Sequence, residues 1–331
     1  MGKNIFIIAE IGSVHDGSLG NAIKLIELFA KCGVDCVKFQ THIANEESLP
    51  DAPNPDYFKE ESRIEYFNRT SFSINEWQSL KKKTDELKID FLSSPFSLEA
   101  VDMLEEVGVF AYKIPSGEVT NLPLLEKIAE IEKPVFLSSG MSDWNELDQA
   151  VDIFKKKCAL TVMQCSSVYP CGPEQVGLNV ITEIKERYDC EVGFSDHTLG
   201  FSAAISAVAL GATVIEKHCT FSRHMYGSDA KHSMEPEDFS KFCKELRNLE
   251  KMLENPVDKN DTSQYTAMKN IFQKSIVAAC DVLEGTSIEM QHLKFKKPGD
   301  GLPASHYKDL LGRKTARKIK ANEKITYEDF L

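Results

Sequence analysis

Along the first 255 residues, short apolar runs alternate with amphipathic stretches of helical period. The runs are NIFIIAEIG, CVKFQT, IDFLSSPF, FAYKIPSG, PVFLSSG, ALTVMQCSS, EVGFSD and VIEKHCT. Each has the length and β-branched or aromatic content of a buried strand. Between them lie helical patterns such as GNAIKLIELFAKCG, SINEWQSLKKKTDELK and SLEAVDMLEEVG, and the spacing of residues 201–211. The last of the series, EPEDFSKFCKELRNLEKMLE, opens on acidic residues, as a helix N-terminus favours. Eight strands, each followed by a helix, predict a (β/α)8 barrel, an α/β fold. The alternative is an open doubly wound sheet. That fold needs a glycine-rich turn after its first strand, and EIGSVHDGS lacks the G-x-G-x-x-G spacing.

Two stretches depart from the alternation. Residues 46–72 are a long polar insertion between the second strand and its helix, which in a barrel lies on the catalytic face and is placed to form a lid. From about residue 256 the texture changes. NPVDKNDTSQYT reads as a linker, giving a barrel over 1–255, a linker over 256–270 and a small β-rich module over 271–331. The module carries a faint internal repeat: DVLEGTSIEMQHLKF and KIKANEKITYEDFL align Val282 with Ile319, Ile288 with Ile325 and Leu293 with Phe330. At about 60 residues it is near the lower limit for independent stability.

Composition narrows the function classes. The net charge of −12 disfavours nucleic acid and anionic membranes as partners, so an anionic ligand needs a local basic pocket. The apolar run before Glu10 is too short for a signal peptide or a membrane span. Nine cysteines without a C-x-x-C fit free thiols in a reducing cytoplasm rather than a disulfide framework.

Candidate chemistry sits at the strand ends, where barrel enzymes keep it. Those ends carry Glu10; Lys38 and Gln40; Ser93 and Ser94; Lys113, Ser116 and Glu118; Ser138 and Ser139; Ser167 and Tyr169; Ser195, Asp196 and His197; and His218. Lys38 and Lys113 stand inside otherwise apolar strands, a costly place for a charge unless it is paired or meets an anionic ligand. Two lysines in a ring of hydroxyls suit a phosphate and a carboxylate. His197 and His218, just past consecutive strands, are either surface residues or two ligands of one divalent ion. Glu10 and Glu118 suit a general base or an orienting group.

The segments IAEIG, HDGS, VKFQTH, SSPF, YKIPSGE, LSSGM, GFSDHT and EKHCT, in this order, resemble the sialic acid synthase family, and LKFKKPGDG resembles its C-terminal antifreeze-like (SAF) domain. The resemblance spans essentially the whole chain. It implies a (β/α)8 barrel followed by a SAF domain, and condensation of phosphoenolpyruvate with N-acetylmannosamine or a related 2-acetamido sugar, including 2,4-diacetamido-6-deoxy sugars. It also implies that His197 and His218 bind Mn²⁺, or another divalent ion such as Mg²⁺ or Co²⁺. Lys38, Ser94, Lys113, Ser116, Ser138 and Ser195 then hold phosphoenolpyruvate. Gln40, Tyr169 and Asp229 contact the sugar, with Glu118 near its carbonyl and Glu10 near the attacking water. A domain-swapped homodimer is implied too, with Lys297 of one chain reaching the partner's site.

Three positions depart from the family pattern: Val14 and Ser167, where asparagine is common, and Lys297, where arginine is common. Lysine supplies charge but no bidentate fork, so the third departure bears on sugar recognition. Two rival functions are a Schiff-base aldolase or sialic acid lyase acting through Lys113, and a carbohydrate-binding protein on an inert barrel.

Overall fold

The computed structural model describes residues 5–54, 58–169 and 171–331, in two compact units that meet between Asn255 and Pro256. In the first unit eight strands close a parallel barrel in sequence order. They are β1 (Phe6–Gly12), β2 (Cys36–Thr41), β3 (Asp90–Pro95), β4 (Ala111–Ile114), β5 (Val135–Ser138), β6 (Leu160–Cys165), β7 (Glu191–Asp196) and β8 (Val214–His218). Around them run α1 (Leu19–Cys32), α2 (Ala44–Glu47), α3 (Arg63–Thr70), α4 (Ile74–Leu87), α5 (Leu98–Val107) and α6 (Leu122–Ala129). The ring is completed by α7 (Trp144–Phe154), α8 (Asn179–Tyr188), α9 (Ser202–Ala209) and α10 (Pro236–Glu254). The expected (β/α)8 architecture is present, with β8 paired in parallel to β1.

Strand parity sorts every side chain to one of two sides. One set, including Ile7, Val37, Phe91, Leu137, Val162 and Ile215, packs outward into the core shared with the helices. The other fills the barrel. Its lowest layer is an apolar plug of Ile8, Cys36, Leu92, Ala111, Phe136, Met163 and Val214. One pleat further along the strands, the inward positions are occupied by Glu10, Lys38, Ser94, Lys113, Ser138, Ser195 and Glu216, each buried. Apolar packing thus ends where the chemistry begins.

The insertion at 46–72 is not featureless. It contains α3 and part of α2, and α3 starts from a capping box in which Ser62 and Glu65 satisfy each other's backbone N–H groups. Arg69 ties α3 down, donating to Asp16 Oδ1 at 2.6 Å and to Glu61 Oε1 at 2.7 Å. Residues 55–57 of the insertion lie outside the described residues.

The second unit holds α11 (Thr266–Phe272), β9 (Ser275–Ala278), β10 (Leu293–Lys296) and α12 (Tyr307–Leu310), with β9 and β10 antiparallel. Its core gathers Ile276, Val282, Ile288, Leu293, Ile319 and Ile325. The aligned repeat positions Val282 and Ile319 face each other in an antiparallel bridge. Much of α11 falls in the stretch read as linker. The polar sequence hid it, because this helix buries none of its residues. All nine cysteines are free thiols. Among the described residues no helix is long and apolar enough to cross a membrane.

Candidate active site

The deepest polar layer is a closed set of charges. Lys38 Nζ lies 3.0 Å from Glu10 Oε1 and 3.7 Å from Glu216 Oε1. Lys113 Nζ donates to the same Glu216 oxygen at 2.9 Å, and Ser195 Oγ does so from the other side, also at 2.9 Å. Ser94 Oγ accepts a long bond of 3.4 Å from Lys38. Burial by itself raises a carboxylate's pKa, but Lys113 and Lys38 hold Glu216 well below the ordinary range. Burial likewise pulls Lys38 down, and Glu10 and Glu216 more than restore it. Two cations face two carboxylates, and the second oxygens of Glu10 and Glu216 have no hydrogen-bond partner among the described residues. Buried acceptors left open in this way mark a place built for a further donor.

Glu216 is the residue that sequence reading missed. It sits between Ile215 and Lys217, and the signal was parity: two positions before His218, it must share that residue's inward face. Lys217 takes the opposite face, pairing with Asp196 at 2.7 Å and donating to the Thr198 carbonyl. Asp196 is therefore a structural partner behind the barrel wall. Ser93 and Ser139 also point away, binding Thr41 and Gln164.

Above the charged layer come the imidazoles. His197 Nδ1 donates to the Ser166 carbonyl at 2.6 Å, leaving Nε2 as the lone-pair nitrogen, 3.3 Å from Tyr169 Oη. Burial, with His218 beside it, lowers the His197 pKa to about 3, so the ring is neutral. The two histidine rings are 5.6 Å apart, and His218 Nδ1 is buried with no partner among the described residues. Two adjacent imidazoles with open nitrogens fit a divalent ion that takes its remaining ligands from substrate or water. Among the described residues no cluster of three or more His, Cys, Asp or Glu side chains forms a fuller metal cage.

The mouth is a pocket of about 420 Å³, lined by Gln40, Ser116, Tyr169, His218 and Asp229. Gln40 Nε2 donates to Glu10 Oε1 at 2.7 Å. Asp229 reaches the end of β1 because Gly12 (φ +52°) has no side chain; a Cβ there would stand 2.7 Å from Asp229 Oδ2. The outer wall is aromatic and comes from the insertion and the strand ends: Phe58, Tyr66, Phe67 and Phe96, with Arg63 among them. The described part of the 46–72 insertion thus supplies a wall of the pocket through Asn54, Phe58, Arg63, Tyr66 and Phe67. Ser116 Oγ lies 3.3 Å from Cys165 Sγ, and Ser138 is buried within the barrel. Glu118 is set back in the turn after β4. It accepts from Asn121 at 2.8 Å, and burial raises its pKa. Lys297 belongs to the second unit, its ammonium 5.0 Å from the centre of the Phe272 ring. A larger cavity of about 650 Å³ opens between the connections after β6 and β7, but Cys171 is the only titratable residue among its described lining, so the smaller pocket is the candidate site.

Comparison with known proteins agrees with this geometry. Residues 25–258 match the NeuB family and residues 273–331 match the SAF domain. The N,N'-diacetyllegionaminic acid synthase of Campylobacter jejuni is 36% identical over 332 residues, covering 98% of this chain and 99% of that protein. The human N-acetylneuraminate-9-phosphate synthase is 32% identical, covering 98% of this chain and 92% of that protein. A crystal structure of the N-acetylneuraminic acid synthetase of Leptospira borgpetersenii superposes with a TM-score of 0.72 at 32% identity, over 80% of this chain and 90% of that one. A barrel with this strand-end set, followed by a SAF domain, places the chain in the NeuB family of nonulosonic acid synthases.

Proposed function

We propose that the barrel condenses phosphoenolpyruvate with the open-chain aldehyde of a 2-acetamido sugar, giving a nine-carbon keto acid and phosphate. The observation that carries this is the pair of buried lysines, Lys38 and Lys113, set beneath two adjacent histidines and a sugar-sized pocket. In this reading the lysines, with Ser94, Ser116, Ser138 and Ser195, receive the carboxylate and phosphate of phosphoenolpyruvate. Gln40, Tyr169 and Asp229 hold the sugar, and Glu118 stands behind its reacting carbon. His197 and His218 would hold Mn²⁺ or a similar ion, which supplies Lewis-acid polarisation of the sugar carbonyl.

The bond changes balance as follows. Carbon 3 of phosphoenolpyruvate attacks the aldehyde carbon, whose oxygen is protonated to a hydroxyl. Carbon 2, now electron-poor, takes the oxygen of water, and Glu10 accepts the released proton on its open oxygen. The tetrahedral centre then expels phosphate by breaking its C–O bond, and its hydroxyl proton leaves with the phosphate as the keto group forms. The proton taken by Glu10 balances the one gained by the aldehyde oxygen, and the lysines neutralise the departing charge. Lys113 is already ion-paired to Glu216, which supports electrostatic duty over the free amine a Schiff base requires.

Among sugars, the aromatic side chains Phe58, Tyr66, Phe67 and Phe96 of the wall favour acetamido and deoxy substituents, while Arg63 beside them is a group that would favour a phosphate. The likeness to the Campylobacter synthase supports the former. The test is phosphate release from phosphoenolpyruvate and Mn²⁺ with three aldehydes: N-acetylmannosamine, its 6-phosphate and a 2,4-diacetamido-6-deoxy sugar. Release is expected to be fastest with the last. Preference for the 6-phosphate overturns the sugar assignment, and no release with any of the three revives a binding role. We propose also that the protein is a homodimer in which Lys297 of one chain serves the pocket of the other.

A further inference from the structure

One buried histidine has no part in that reaction. His42, just past β2, is 7% exposed, and its ring lies nearly parallel to two others. Phe67 of α3 is 3.7 Å away between centroids at 11°, and Phe96 is 4.1 Å away at 19°. Its Nδ1 is 2.9 Å from both carboxylate oxygens of Glu47 on α2, whose side chain is 3% exposed. Its Nε2 is 3.1 Å from Gln40 Oε1.

Counting donors settles the protonation of this chain of contacts. Glu10 accepts the 2.7 Å bond from Gln40 as well as the Lys38 ammonium, so Gln40 must turn its N–H toward Glu10. Its carbonyl oxygen therefore faces His42, and a carbonyl only accepts. Glu47 accepts too. Both ring nitrogens must donate, and a neutral imidazole has a single N–H. We infer that His42 is a positioning residue: an imidazolium, clamped between Phe67 and Phe96 and countered by Glu47, that locks the Gln40 amide in one of its two orientations. The opposite orientation would bring the Gln40 and Glu10 oxygens together at hydrogen-bonding distance. Aromatic faces on both sides suit a cation. Other charged or titratable groups around the pair are Glu10, reached through Gln40, His15 from the β1–α1 loop, Arg63, which stands 5.1 Å from the Phe67 centroid, and Glu118, whose carboxyl feels the charge of Glu47.

The consequence for the reaction rests on the reading above, in which Gln40 touches the sugar and Glu10 serves the water. His42 then sets which end of Gln40 the sugar meets, without touching a reacting atom itself.

Two measurements test this separately. In protein labelled with ¹⁵N-histidine, the His42 ring, identified by the signal lost in His42→Phe, is expected to show two protonated nitrogens at neutral pH. In Glu47→Gln, with no counter-charge, it is expected to show one. A single-proton pattern in the unmodified protein overturns the inference. In kinetics, Glu47→Gln is expected to raise KM for the sugar by about tenfold while KM for phosphoenolpyruvate stays within about twofold. In a Gln40→Ala background the same change is expected to have no further effect, since there is no amide left to orient. An effect of full size there assigns His42 and Glu47 a merely structural role. Should no sugar support turnover, the proposed reaction fails while the labelling result still decides the state of His42.

Discussion

At the scale of single residues, the site is governed by where charge is left unpaired. Glu216 is the common counter-ion of Lys38 and Lys113, so its loss leaves Lys38 with Glu10 alone and takes from Lys113 its carboxylate partner. Removing one partner of a buried pair costs about 3–5 kcal/mol. Glu216→Gln is therefore expected to lower the urea midpoint strongly, and an unchanged midpoint would show that the lysines find water. His15 predicts a pH effect. It is 1% exposed, its ring is 4.5 Å from that of Phe72, and burial lowers its pKa from 6.5 to about 4. On acidification the unfolded chain takes up this proton first, so stability falls with falling pH. The contribution is complete above the unfolded value and is lost as pH drops toward the folded one, about 3 kcal/mol in all. In His15→Asn that component is absent. The stability difference between the two proteins is expected to narrow between about pH 7 and about pH 4.5; parallel curves would rule His15 out.

At the scale of elements, one insertion makes the outer half of the pocket. Helix α3 is held by exposed ion pairs from Arg69 to Asp16 and Glu61, and Glu61 also accepts from Tyr226 Oη at 2.7 Å. Exposed pairs are worth roughly 0–1 kcal/mol each, so Arg69→Ala is expected to leave global stability nearly unchanged. Its effect is local: faster proteolytic cleavage within 46–62 and a higher KM for the sugar. Equal cleavage rates would mean that Tyr66 and Phe58 packing alone holds the wall. The barrel itself was legible because short continuous apolar runs and helical stretches alternate eight times. So were Lys38, Lys113 and the two histidines, as charged or polar groups inside apolar runs. Glu216 was legible in principle by parity with His218. The aromatic wall and His42 were not, because Phe67 and Phe96 come together with His42 only through the closure of β2 beside β3 and the return of α3. No local pattern records that.

At the scale of the whole molecule, the chain is two units with separate cores. The second has a small core and twelve hydrophobic residues in or against it, which suits a module that works on a partner rather than alone. If Lys297 serves the partner's pocket, two inactive variants complement each other. Mixing His218→Ala with Lys297→Glu is expected to restore part of the activity once subunits exchange, since the mixed dimer holds one undamaged site. A confirmed mixed dimer that stays inactive places Lys297 outside the partner's site.

The apolar plug formed by Ile8, Leu92, Phe136 and Met163 seals the barrel directly beneath the lysines. Among the described residues the well is closed at that end, and it opens at the pocket ringed by Gln40, Tyr169 and His218. Such a vessel works as a stack, last in and first out. If the well takes phosphoenolpyruvate as proposed, that ligand has to be loaded before the sugar, and a sugar that arrives early is a stopper. Excess sugar is then expected to inhibit in competition with phosphoenolpyruvate, and phosphate, released at the bottom, has to wait until the new acid has left.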